Sequence, residues 1–168
     1  GHSPDKGLLK EWPRGGPKQV WLFEDCGKGY SAPAIVKGKL YTLGARDAVT
    51  QLICLDEKTG KEQWATDVGV IYKNSWGDGP RGTPTIDDGL VYVLGGKGDL
   101  VCANADNGEM VWKKSLTKDF GGKIQNWGYT ESVLVDGDNV ICTPGGDRGA
   151  IVALNKKTGK LIWRSKGL

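Results

Sequence analysis

Leu55-Asp56-Glu57-Lys58-Thr59-Gly60-Lys61-Glu62-Gln63-Trp64 decides the fold, because the chain writes this phrase more than once. Leu154-Asn155-Lys156-Lys157-Thr158-Gly159-Lys160-Leu161-Ile162-Trp163 nearly repeats it. Asp106-Asn107-Gly108-Glu109-Met110-Val111-Trp112 is a looser copy. Trp64, Trp112 and Trp163 recur about every 40 to 50 residues, with Trp21 as an upstream outlier, and a period of that size marks a repeat architecture.

Working outward, the copies align on Gly38, Gly89 and Gly137. Each opens with a short apolar run: Ala32 to Val36, Thr83 to Ile86, Ser132 to Val135. A two-residue turn follows at Lys37-Gly38, Asp88-Gly89 or Asp136-Gly137, a strong hairpin signal because glycine accepts positive φ. The second strands are 39–43, 90–94 and 139–143. Their partners lie across a glycine-rich loop at 51–55, 100–104 and 150–154, and a last strand ends on the tryptophan. Four antiparallel strands per unit, with no helical apolar stripe, make the blade of a β-propeller. A β-sandwich needs no repeat and leaves the tryptophan phrase unexplained.

The phrase has a mechanical reading. Asp56 or Asn155 bonds its own following backbone to start a turn, and Gly60, Gly108 and Gly159 supply positive φ. Trp21, Trp64, Trp112 and Trp163 are then structural docking residues, each packing on a neighbouring blade and burying on the order of 200 Å².

Composition bounds the rest. The 168 residues include 27 glycines and one methionine, which suits tight turns and not a helical bundle. A net charge of +3, from 23 basic and 20 acidic residues, is too balanced to suggest a nucleic-acid partner. No stretch approaches the roughly 20 apolar residues of a membrane helix, and no signal-peptide pattern opens the sequence. Cys26, Cys54, Cys102 and Cys142 contain no Cys-x-x-Cys, and His2 is the lone histidine, so no metal site is expected. Cys54 and Cys102 share one repeat position with Ala153. That pattern suits a small buried slot better than a disulfide.

The stretches Cys54–Trp64 and Ala153–Trp163, with a degenerate copy at Cys102–Trp112, resemble the tryptophan-docking motif of the PQQ-like β-propeller repeat family. The resemblance covers about residues 30 to 163. It implies an all-β propeller segment of about three and a half blades and an extracytoplasmic location. It says less about activity, since quinoprotein alcohol dehydrogenases and outer-membrane assembly scaffolds share the repeat. The quinoprotein enzymes carry calcium at a central quinone and often an adjacent Cys-Cys pair. No two cysteines are adjacent here, and no Glu, Asn and Asp cluster matches the calcium ligands. PQQ and calcium are therefore expected only if a further part of the ring supplies their site.

The expected organisation is a lead-in loop over 1–17, an orphan outer strand over 18–23, and blades over 30–64, 81–112 and 130–163. Three blades do not close a ring, so the chain reads as part of a longer propeller, with the orphan strand waiting for a closing blade. Its open blade edges suggest self-association.

In a propeller, the loops leading into each innermost strand and those joining the second and third strands gather on one face. The first set contains Tyr72–Arg81 and Gln125–Tyr129, and the glycine alignment makes Tyr30, Arg81 and Tyr129 equivalent near the channel mouth. Trp76 and Trp127 fall outside the docking phrase. One reading makes Trp76, Trp127, Tyr30 and Tyr129 aromatic walls, with Arg81, Arg46 or Arg148 capturing an anion and Glu131 as a lone acid. The other has the aromatics capping the core and the charges paired in a solvated rim. No base-plus-nucleophile or paired-carboxylate arrangement points to catalytic residues. The functions left are a non-catalytic scaffold binding a protein or small ligand, part of a PQQ-dependent alcohol dehydrogenase, or a carbohydrate-binding propeller stacking sugars on Trp76 and Trp127.

Overall fold

The structure is a computed structural model that describes residue 4 and residues 6–166; His2 lies outside the described residues. Among the described residues there are twelve strands and no helix. Blade 1 is β1 Ala34–Val36, β2 Lys39–Arg46, β3 Val49–Asp56 and β4 Glu62–Val70. Blade 2 is β5 Thr85–Asp87, β6 Leu90–Leu94, β7 Asp99–Asn104 and β8 Met110–Ser115. Blade 3 is β9 Leu134–Asp136, β10 Asn139–Cys142, β11 Val152–Asn155 and β12 Leu161–Arg164. Each is a four-stranded antiparallel meander in chain order. The innermost strands β1, β5 and β9 touch in succession, as propeller blades do.

The core lies between the blades, and strand periodicity builds it. Along β6, Val91 and Val93 point to one face and Tyr92 and Leu94 to the other. Val91 and Val93 join Tyr41, Leu43, Leu52 and Cys54 of blade 1. Tyr92 and Leu94 join Val140, Cys142, Val152 and Leu154 of blade 3. A strand buried on both faces must be apolar throughout, which is why β6 and β7 read as continuous hydrophobic runs.

The tryptophans couple successive blades by one geometry. Trp64 Nε1 donates to the Asp106 carbonyl of blade 2 at 3.1 Å, and Trp112 Nε1 to the Lys156 carbonyl of blade 3 at 2.9 Å. Each ring lies over the turn glycine of the next blade, Gly108 or Gly159, where a Cβ would collide with the indole at 2.5 or 2.9 Å. The cross-strand tyrosines help: Tyr41 packs on Trp64 and donates to Ala105 O, while Tyr92 packs on Trp112 and donates to Lys156 O. Lys156 adds an ion pair to Asp87 at 2.7 Å. Trp163 has Ile141 across the ladder in place of tyrosine and remains 43% exposed.

Several local expectations change. The tryptophans do not end their strands: the outer strands continue past them to Val70, Ser115 and Arg164. Blade 1 has no glycine-rich loop between β2 and β3, because Gly44 lies within β2 and the hairpin turns tightly after Arg46. Residues 18–23 form no strand among the described residues, for no neighbouring strand offers them a ladder. They cover blade 1 instead. Trp21 Nε1 donates to Glu57 O at 2.9 Å and its ring sits over Gly60, the same socket geometry one blade earlier. Further along, Lys28 bridges Ala45 of β2.

All four cysteines are free. Cys54, Cys102 and Cys142 are buried, and Cys54 and Cys102 face Trp64 and Trp112 where Ala153 faces Trp163.

Candidate functional site

The loop face is organised by Tyr72–Pro80 and Lys123–Gly128, which lead into β5 and β9. Asn74 fixes the first loop: its Oδ1 accepts from Trp76 N at 2.9 Å and its Nδ2 donates to Asn126 O. Tyr72 Oη also donates to Asn126 O, at 2.7 Å, so the two loops are tied together. That tie presents Trp76 and Trp127 side by side, ring centroids 5.9 Å apart and planes tilted by 50°. They are 77% and 52% exposed, a large apolar area for two adjacent indoles held by a hydrogen-bonded base.

Tyr30, Arg81 and Thr130 complete a notch of about 450 Å³ with the two tryptophans. Arg81 stacks between the rings of Tyr30 and Tyr72, its Cζ 5.5 and 5.1 Å from their centroids. Its guanidinium donates to the carbonyls of Gly77 and Gly79. The cation therefore holds the loop and supports the aromatic wall, so anion capture is not its main use. Tyr30 Oη donates to Trp76 O at 3.1 Å and braces the same loop.

The other candidates lie elsewhere. Tyr129 is 7% exposed, belongs to the core between blades 2 and 3, and donates its hydroxyl to Pro144 O. Burial pushes that phenol up to about 12. Thr130 takes its place at the notch, for a simple reason. The hairpin turn is Lys37-Gly38 in blade 1 and Asp88-Gly89 in blade 2, but Gly137-Asp138 in blade 3. Glycine moves from the second turn position to the first, so aligning on glycine slips blade 3 by one residue.

Glu131 caps its own blade, accepting from Thr143 N at 2.7 Å and Thr143 Oγ1 at 2.6 Å. Ser31 makes the matching bond to Leu43 N in blade 1. Arg46 is bound to Glu62 at 2.6 Å, donates to Asp25 O and lies over Phe23, so it fastens the N-terminal segment to blade 1. Arg148 lies exposed on the blade 3 hairpin, outside the notch, its chain near Gly121. Sequence reasoning missed Thr130 and the tying roles of Tyr72 and Asn74. It also missed a cluster of Lys97, Lys113, Lys114 and Lys118 around a cleft of about 580 Å³ at the rim. The Lys113-Lys114 doublet and Lys97 in the loop joining the second and third strands are its visible signals.

Among the described residues no three His, Cys, Asp or Glu side chains converge on a point that could hold a metal ion. The notch lining of Tyr30, Trp76, Arg81, Trp127 and Thr130 contains no carboxylate or side-chain amide of the kind that ligates calcium.

Comparison with known proteins fits this architecture. Residues 49–167 match the family model described as outer membrane protein assembly factor BamB. Tetrathionate hydrolase of Acidithiobacillus ferrooxidans is 25% identical over 158 residues, covering 89% of this chain and 29% of that protein. BamB of Salmonella typhimurium is 28% identical over 86 residues, covering 51% of this chain and 19% of its own length. The chain thus spans under a third of the curated relatives it matches. A europium-containing methanol dehydrogenase superposes with a TM-score of 0.64 at 19% identity, over 87% of this chain and 26% of that one. BamB of Moraxella catarrhalis superposes with a TM-score of 0.59 at 20% identity, over 89% and 43%. Two solved propellers of different activity thus share the fold alone. With most of its length matched by the family model, this chain belongs to the PQQ-like propeller repeat family represented by the outer membrane protein assembly factor BamB.

Proposed function

We propose that this chain is a non-catalytic binding scaffold of an extracytoplasmic protein assembly, gripping a protein partner on its loop face through Trp76 and Trp127. The observation that carries the reading is the braced, exposed indole pair at a notch whose one cation is already spent on backbone carbonyls. Aromatic anchors on a rigid base are what protein interfaces use, since they supply contact area at little entropic cost. The family match to an outer membrane assembly factor supports both the scaffold role and the location. No described helix is long and apolar enough to cross a membrane.

The dehydrogenase reading is supported by fold likeness alone, and the residues here bring no ligand set to it.

A photocrosslinking amino acid placed at Trp127 tests the proposal in a cell-envelope fraction. The expected adduct is destroyed by prior protease digestion of the fraction and disappears when Trp76→Ala is added. An adduct that survives protease but not periodate oxidation would make the ligand a carbohydrate. Dye reduction by the chain on adding PQQ, calcium and an alcohol would make it an enzyme.

A further inference from the structure

The notch does not stand alone. Trp76 and Trp127 also line a second cavity of about 600 Å³, together with Tyr72, Asn74, Ser75, Gln125 and Asn126. That cavity ends at Ile124, and Ile124 is itself a wall of the lysine cleft at the rim. Shared lining residues set the three next to one another in a row, a groove in the sense of a track from Arg81 and Thr130, past the indoles and the amides, to the lysines.

Its chemistry changes along its length. At the notch end the contacts are aromatic rings, the Thr130 side chain and the Arg81 guanidinium, which the Gly77 and Gly79 carbonyls already hold. In the middle, Asn74 and Tyr72 are engaged in tying the loops, and the side chains of Ser75, Gln125 and Asn126 offer donors and acceptors. At the rim end the charge is largely unspent. Lys113 is paired with Asp99 at 3.0 Å and donates to Val68 O, and the Asp119 carboxylate accepts from Ser115 N. Lys97, Lys114 and Lys118 form no ion pair among the described residues. Unpaired positive charge is thus left at one end of a groove whose other end is walled mainly by aromatic rings.

We infer that this groove binds an extended acidic peptide segment of the partner, its apolar side chain in the Trp76–Trp127 notch and its carboxylates among Lys97, Lys114 and Lys118. This rests on the protein-scaffold reading and names the partner's chemistry. An extended backbone can use the amides of the middle section, whose donors and acceptors match peptide groups. The indoles, tilted by 50° with centroids 5.9 Å apart, pack on each other and do not offer two parallel platforms for consecutive sugars. A neutral glycan would also leave the lysines without a role. Complementary charge of this kind sets orientation and encounter rate and is screened by salt.

The test is fluorescence anisotropy of the chain with three fluorescein-labelled peptides: Phe-Gly-Ser-Asp-Glu-Asp, Phe-Gly-Ser-Asn-Gln-Asn and Phe-Gly-Ser-Lys-Arg-Lys. The acidic peptide is expected to bind about tenfold more tightly than the neutral one at low salt and to lose that margin at high salt. Lys97→Glu with Lys118→Glu should weaken the acidic peptide about tenfold and leave the neutral one unchanged. Trp76→Ala with Trp127→Ala should weaken both, and Lys58→Glu, on the exposed blade 1 turn, neither. All these positions are exposed except the half-exposed Trp127 margin, so circular dichroism should be unchanged in every variant. Equal binding of acidic and neutral peptides, lost in the tryptophan variant, would overturn the groove and spare the scaffold reading. Preference for the basic peptide would overturn the groove outright. Binding of none of the three, with tryptophan quenching by a neutral glucan, would overturn both.

Discussion

Replacing Trp112 by alanine should cost far more than replacing Trp163, although both occupy the same place in the repeat. Trp112 is 8% exposed, packs on Tyr92 and Gly159, and donates its indole N–H to Lys156 O. Removing a buried ring of this size costs about 3–5 kcal/mol. At this chain length each kcal/mol lowers Tm by roughly 2–4 °C, so the midpoint should fall by roughly 6–20 °C. Trp163 is 43% exposed with no described blade over it, and in this chain its loss should cost under about 1 kcal/mol. Trp112→Phe separates ring from hydrogen bond. Tyr92 Oη still donates to Lys156 O, so that carbonyl keeps a partner and the loss should stay near 1 kcal/mol. Urea denaturation followed by circular dichroism gives all three values. Equal losses for Trp112→Ala and Trp163→Ala would refute blade-to-blade docking as the source of the stability.

Other outcomes follow from the same contacts. Gly108→Ala should destabilise by about 2 kcal/mol or more, because φ is +75° and its Cβ would enter the Trp64 ring; Gly89→Ala, at φ +76° in open space, should cost only about 1 kcal/mol. Paired denaturation curves check this. A thiol reagent at neutral pH should label Cys26 in the folded protein and the other three cysteines only after unfolding, as mass spectrometry would show. Burial pushes Cys102 and Cys142 up to about 12 and Cys54 to about 11, against 9.0 for a free thiol. Their folded state holds the proton more tightly, so this stabilisation is complete below pH 9 and is lost as pH rises towards 11 and 12. Stability measured across that window should fall, and a rise would contradict the burial of these thiols.

The repeat was legible because tight turns and docking sockets need particular residues. Asp88-Gly89 and Thr59-Gly60 announce themselves, and each socket requires a glycine under an indole. The outer strands were not legible past their tryptophans. β8 beyond Trp112 reads Lys113-Lys114-Ser115, since a strand paired on one side alone need not be apolar. The exchange of Tyr129 for Thr130 was hidden because glycine serves either position of a two-residue turn. Trp76 and Trp127 stood out by lying outside the docking phrase. Their tie through Asn74, Tyr72 and the Asn126 carbonyl, in contrast, runs between backbone and side chains distant in sequence. The rim cleft draws its lysines from a hairpin tip, an outer strand and the turn after it, and no short motif joins these.

The most direct measurement uses fluorine NMR on protein made with 5-fluorotryptophan, which reports all seven tryptophans at once. The resonances of Trp76 and Trp127, assigned by substitution, should be solvent-exposed and should shift on adding the acidic phenylalanine peptide, while those of Trp64 and Trp112 stay fixed. Movement of the Trp64 or Trp112 signals, or silence at Trp76 and Trp127 with all three peptides, would contradict the division between tryptophans that lock blades and tryptophans that face a partner.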